Sequence, residues 1–178
     1  EKKRIAIIGA NAAITMLIEK AKEKGYETHV FAWQCGDPGE KAADFFYPIS
    51  IADKEKIFDI CKGLHIDGVA SVTSDFAVNA VNYVARKLGL VGNSERTDLV
   101  ARNKYEMRCA FREAGLYTPQ FYQAGSDFSP EEIIGFHYPL IVKPTDRWSS
   151  KGVTRVDEPN QLLDAVHCAV RESFNDKA

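Results

Sequence analysis

Two lysines in the second half of the sequence stand where they could hold phosphate. Lys104 opens a predicted helix, and Lys143 ends the apolar run Leu140-Ile141-Val142 just before Pro144. A lysine at a strand end presents a compact point charge to a phosphate group. The polar loop Thr145-Asp146-Arg147-Trp148-Ser149-Ser150-Lys151 follows, then Gly152. Backbone N–H groups of such a loop, above all around Ser149, Ser150 and Gly152, can close over phosphate oxygens. A single lysine at a strand end is more often a solvated edge charge; its pairing with this loop makes it a candidate ligand.

Two further candidates lie in the first half. Gly9-Ala10-Asn11 joins an apolar run to a predicted helix, and a strand meeting a helix N-terminus is a natural anion site. The bland alternative is a tight strand-to-helix turn. Only the first glycine of a dinucleotide fingerprint is present, and the second strand ends in Ala32-Trp33-Gln34 rather than in an acid, which argues against a nicotinamide oxidoreductase. Thr73-Ser74-Asp75 follows the run Gly68-Val69-Ala70-Ser71-Val72. Short polar side chains at the carboxyl end of a strand suit a small polar substrate, while Ser74 or Asp75 can equally cap the next helix, and one residue can do both.

The elements needed to place these residues can be read from hydrophobic periodicity. Strands are predicted over 4–8, 27–33 and 68–72, the first and last reading as buried strands of a parallel sheet. Helices are predicted over 11–24, from Asp53 through Leu64, and from Ser74 or Asp75 through Leu88 to the stop at Gly89. Strands alternating with helices imply a doubly wound parallel sheet. After Gly92 the pattern changes: a helix over about 103–114, strands over 120–124, 139–144 and 152–156, a short helix after Pro130 and an amphipathic helix over 159–174. This second segment reads as α+β with antiparallel pairing, and the domain boundary is expected between 94 and 95.

Composition narrows the function classes. The 178 residues are 45% hydrophobic and 27% charged with a net charge of −2, enough apolar material for a core and no signature of nucleic-acid or membrane-surface binding. No apolar run is long enough to span a bilayer, and no signal peptide is visible. The four cysteines, Cys35, Cys61, Cys109 and Cys168, form no CxxC pair. They read as reduced, mostly buried thiols of a cytoplasmic protein.

Taken in order, the segments resemble the ATP-grasp superfamily, especially its carbamoyl-phosphate synthase-like and amino-acid-ligase-like members. The resemblance covers nearly the whole chain. Residues 4–9 are similar to the start of a pre-ATP-grasp domain, and Ile66-Asp67-Gly68-Val69 with Ser71-Val72-Thr73-Ser74-Asp75-Phe76 to its third βα unit. Leu88-Gly89-Leu90-Val91-Gly92 resembles its exit, and Asn103-Lys104-Tyr105-Glu106-Met107-Arg108 the entry helix. Pro139-Leu140-Ile141-Val142-Lys143-Pro144 with Lys151-Gly152-Val153 resembles the phosphate-covering hairpin.

The resemblance implies an α/β protein: a Rossmann-like, parallel-sheet pre-ATP-grasp domain (1–94) followed by an incomplete α+β ATP-grasp subdomain (95–178). It implies an ATP-dependent carboxylate–amine or ammonia ligase working through an acyl phosphate. Lys104, Lys143, Ser149, Ser150 and Gly152 would bind ATP, and Gly9, Thr73, Ser74 and Asp75 would bind substrate. ATP and Mg²⁺ would be the cofactors, and small carboxylate and amine substrates the partners, with no nucleic acid or membrane; a homodimer is left open. The family's adenine hinge and acidic magnesium ligands come later than Phe174, so the chain is expected to be an N-terminal fragment, inactive as a ligase alone. It departs from the family at Arg147-Trp148-Ser149-Ser150, where glycine is common; the indole is expected to pack on a substrate or a neighbouring strand. The alternative is a standalone Rossmann-like small-ligand-binding or scaffold domain.

Overall fold

The computed structural model describes residues 2–178. The chain divides into two compact units, one running to Asp98 and the other Leu99–Ala178.

The first unit is built on a parallel four-stranded sheet of order β3-β2-β1-β4, made of β1 (Arg4–Ile8), β2 (Glu27–Ala32), β3 (Phe45–Pro48) and β4 (Gly68–Ala70). In β1 and β2 successive side chains go to opposite faces. Ile7, Val30 and Ala32 pack with Ile14, Ile18 and Ala21 of α1 (Ala12–Glu23). Ala6, Ile8 and Phe31 pack with Ile57 and Cys61 of α3 (Lys54–Gly63) and with Ala77, Ala80 and Val84 of α4 (Asp75–Leu88). Burial on both faces is why β1 reads as a continuous apolar run from Ile5 to Ile8, while β2 is apolar only from Val30 onward. Burial also holds the Cys61 thiol protonated, with a pKa pushed up to about 12.

Two elements of this unit lack a clear sequence signal. The short helix α2 (Pro38–Ala42) and the edge strand β3 fall in a stretch of mixed polarity. The pattern that stands as a third βα unit in the sequence is therefore the fourth strand and its helix. That strand is shorter than expected, since Ser71 and Val72 lie beyond β4, and it is half-buried rather than buried. β3 sits at the sheet edge, where Pro48 costs no ladder bond to a further strand. Side chains hold it there. His29, 2% exposed, stacks on Phe45 and Tyr47 and hydrogen-bonds the Tyr47 hydroxyl and Glu27. Asp44 accepts hydrogen bonds from the Thr28 amide (2.9 Å) and hydroxyl (3.0 Å) and pairs with Lys22 (3.0 Å).

At the exit of this unit, α5 (Glu95–Arg102) is anchored by Asp98, 4% exposed, which accepts from Asn82 and pairs with Arg86 of α4. The unit boundary falls inside this helix.

The second unit contains α6 (Lys104–Glu113), the antiparallel hairpin of β5 (Leu140–Val142) and β6 (Thr154–Val156), and α7 (Leu162–Glu172). Its core gathers Ala124, Phe128, Ile133, Val156, Leu162, Val166 and Val170. A 3₁₀ turn, Pro130–Ile133, supplies the short helix after Pro130. The strand expected over 120–124 is absent. Ala124 alone exchanges two hydrogen bonds with Ala178, both 3.0 Å, and Pro119 before it brings no N–H to a ladder. Asp157 pairs with Arg155 at 2.8 Å, while Glu158 takes the N-cap position of the 3₁₀ turn before α7 and donates its amide to Gln161.

The lacing of β2 to β3 carries a pH prediction. Burial raises the Asp44 pKa, but the Thr28 amide, Lys22 and the Thr28 hydroxyl outweigh it and bring the group to about 2 from an ordinary 3.8. A carboxylate with a depressed folded pKa contributes stability that is complete above its unfolded value and is lost as pH falls through the folded one. Asp44→Asn should therefore lower stability at neutral pH and flatten the acid loss between about pH 4 and about pH 2. Urea unfolding across that range would read it.

Candidate functional site

In the first unit Gly9 follows β1 and Thr73-Ser74-Asp75 follow β4, two strands paired in parallel in the sheet. β1 lies between β2 and β4, and α1 and α4 leave from opposite faces of the sheet. The carboxyl ends of β1 and β4 thus form a topological switch point, where open α/β sheets hold ligands. Ser71 ties the two ends together by donating its hydroxyl to the Ile8 carbonyl at 2.7 Å.

Local geometry sets the walls of this crevice. Gly9 has φ +105°, a conformation that favours glycine, and donates its amide to Phe31 at 2.8 Å. Asn11 caps α1 by accepting the Ile14 amide, and Ser74 caps α4 by accepting the Ala77 amide at 3.2 Å. Of the two capping candidates it is therefore Ser74 that caps, leaving the Asp75 carboxylate exposed in the first turn. Thr73 is exposed with φ +59°. Gly39 of α2 approaches so closely that a Cβ there would lie 2.5 Å from the Ala10 carbonyl oxygen. The following loop is fixed by Glu40, whose carboxylate accepts the amides of Cys35, Gly36 and Asp37; these bonds hold its pKa below the usual range. The Gly39–Ala10 approach joins residues distant in sequence and has no local signal, whereas the Glu40 bonds are local and follow the capping spacing Asp37-x-x-Glu40.

In the second unit Lys104 and Lys143 line one cavity of about 730 Å³, with Tyr105, Arg108 and His137 among the other lining residues. Asn103 caps α6 by accepting the Tyr105 and Glu106 amides at 2.9 and 3.1 Å, which fixes Lys104 as the first helical residue. The Lys104 amide donates to the Thr145 carbonyl at 2.7 Å, so the helix start is bonded to the residue two beyond Lys143. The Lys104 ammonium donates to the Arg147 carbonyl. Arg108 follows Lys104 by one helical turn, a spacing that places both on one face. That signal is present in the sequence.

The loop after Lys143 is pinned rather than free. Asp146 accepts the Ser173 hydroxyl at 2.9 Å and the Phe174 amide at 3.0 Å beyond α7. Arg147 pairs with Glu172 at 3.4 Å and lies 4.3 Å from the centre of the Phe174 ring. The Trp148 ring packs on Phe174 at 5.6 Å, beyond α7, rather than on a strand. Ser149 and Ser150 form the exposed tip, both with positive φ, +56° and +55°. Gly152 has φ +67°, and a Cβ there would lie 2.9 Å from Pro144 and from Glu172. Its lack of a side chain is thus a packing requirement of the hairpin.

Among the described residues no group of three or more His, Cys, Asp or Glu is placed to hold a metal ion, so no residue is assigned to Mg²⁺. None of the described helices is long and apolar enough to cross a membrane.

No family model matches the chain. Over 180 residues it is 26% identical to a formate-dependent phosphoribosylglycinamide formyltransferase of Prochlorococcus marinus, covering 97% of this chain and 45% of the relative. It is 30% identical over 150 residues to D-alanine–D-alanine ligase B of Chromobacterium violaceum, covering 82% of this chain and 43% of the relative. The structure of an L-amino acid ligase from Bacillus licheniformis superposes with a TM-score of 0.74 at 28% identity, over 93% of this chain and 42% of that one. An N5-carboxyaminoimidazole synthetase from Staphylococcus aureus, complexed with ADP, shares the fold with a TM-score of 0.77 at 16% identity, over 95% of this chain and 46% of that one. These relatives are ATP-grasp ligases, and this chain is related to their N-terminal part. It spans less than half the length of the curated relatives it matches.

Gly152→Ala places a Cβ against Pro144 and Glu172 in a left-handed conformation. It should lower stability by about 1–3 kcal/mol, read as a lower midpoint in thermal or urea unfolding.

Proposed function

We propose that the chain supplies the pre-ATP-grasp domain (1–94) and the opening part of the ATP-grasp fold (95–178) of an ATP-dependent carboxylate–amine or ammonia ligase. Such an enzyme activates a carboxylate as an acyl phosphate, and a nitrogen nucleophile then displaces phosphate. The observation that carries this reading is the convergence of Lys104 and Lys143 on one cavity, with the first bonded to the loop that follows the second.

In this reading each group has a defined task. Lys104 and Lys143 offset negative charge on the nucleotide phosphates, the strongest demand in phosphoryl transfer. The loop carrying Ser149, Ser150 and Gly152 offers backbone N–H groups to phosphate oxygens and excludes water that would hydrolyse the acyl phosphate. The apolar part of the cavity, including Phe136 and Leu162, suits a nucleoside base. Gly9, Thr73, Ser74 and Asp75 form the substrate crevice of the first unit, where the hydroxyl and carboxylate groups recognise a small polar carboxylate or amine. Mg²⁺ accompanies ATP in this chemistry, and the protein is placed in the cytoplasm.

A second reading is favoured by the β1/β4 crevice itself: a Rossmann-like module that binds a small polar ligand without catalysis. Lys143 separates the two. On the ligase reading Lys143→Ala weakens MgATP binding by about tenfold or more, the scale of one charged contact to phosphate. Isothermal calorimetry on the wild type and the variant would measure this. Unchanged MgATP affinity in a folded Lys143→Ala protein would leave the binding-module reading in place.

A further inference from the structure

Arg147 stands in the loop four residues after Lys143, bonded to Lys104 through its backbone, and has no task in the proposed function. Its carbonyl accepts the Lys104 ammonium, so its backbone sits beside a residue that lines the cavity. Its guanidinium is poorly satisfied. Nε is buried with no hydrogen-bond partner among the described residues. Its one carboxylate contact, Glu172 at 3.4 Å, is long, and that carboxylate is 44% exposed. The remaining contacts are aromatic: Phe174 at 4.3 Å and Trp148 at 6.0 Å. Buried donors in native proteins are almost always paired, so an arginine left in this condition has unused binding capacity. A guanidinium presents planar donors that match phosphate bidentately, a capacity a lysine lacks.

We propose that Arg147 is a third phosphate ligand of the nucleotide cavity, held in store by Glu172 and by the Trp148 and Phe174 rings. The proposal rests on the nucleotide reading of that cavity. A polyphosphate at Lys104 competes with the Arg147 carbonyl for the same ammonium. Losing that bond frees the loop backbone, and the guanidinium moves from the weak Glu172 pair to the stronger phosphate contact. Glu172, on α7, is then a competitor of the nucleotide for Arg147, and Trp148 reports the transfer because its ring leaves Phe174 with the loop.

The test compares MgATP with adenosine, which lacks phosphate, by calorimetry on the protein and on three variants. Arg147→Ala should weaken MgATP by about tenfold or more and leave adenosine unchanged, with Arg147→Lys intermediate. Glu172→Gln should tighten MgATP severalfold, because it removes the competitor without adding a contact. Trp33 and Trp148 are the two tryptophans of the chain, so in a Trp33→Phe background the emission of Trp148 should change on MgATP and not on adenosine. A purely structural clasp predicts instead that Glu172→Gln leaves MgATP binding unchanged or weaker, and either result overturns the proposal. If Arg147→Ala does not fold, Arg147→Lys and Glu172→Gln carry the test. MgATP affinity within about twofold of wild type in Arg147→Ala, while Lys143→Ala loses it, refutes the role of Arg147 and spares the nucleotide reading. If Lys143→Ala also binds normally, the nucleotide reading itself has failed and this proposal falls with it.

Discussion

The backbone of Thr145 is the joint on which the second unit is assembled. Its carbonyl accepts the first amide of α6, its amide donates to the Lys177 carbonyl at 3.1 Å, and its hydroxyl, on a residue 3% exposed, bonds Asn175. One residue thereby links the entry helix, the strand carrying Lys143 and the chain beyond α7. Buried backbone groups must find partners, so this arrangement is fixed as firmly as a ladder of strands would fix it. The two lysines converge because the segments bearing them share this joint. Neither segment places its lysine alone.

The pinned loop gives the second unit its particular character. The loop that follows Lys143 carries Arg147-Trp148-Ser149-Ser150. The large side chains contact Glu172 and Phe174, and the two serines stand at the exposed tip. Mobility is thus traded for a defined resting position, and a ligand that moves the loop must offer the guanidinium a better partner than Glu172. In the first unit the comparable constraint is steric. Gly39 and Ala10 meet at backbone distance, which sets the turn after β1 against α2 and helps define one wall of the crevice.

Much of the fold is legible along the chain because its signals are local. The runs of β1 and β2, the periodicity of α1 and α4, the Asn103 cap and the Gly89 stop all act within a few residues. Long burial on both sheet faces made the central strands plain. The edge strand β3, with exposed Phe45 and Pro48, carried no such pattern, and α2 is too short to show a period. The expected strand over 120–124 has β-forming residues, but its ladder contains only the Ala124–Ala178 bonds, and propensity yields to the available partner.

The sequence by itself determined which residues have the chemistry: two lysines beside a polar loop, and short polar side chains at the ends of parallel strands. Spacing and residue type are properties of the chain, so these could be read without coordinates. Only the tertiary structure decided that Lys104 and Lys143 share a cavity, that Gly9 and Thr73 follow the neighbouring strands β1 and β4, and that Arg147 is clasped at the end of α7. Those outcomes rest on contacts between residues far apart in sequence, made when buried groups find their partners, and no local pattern encodes them.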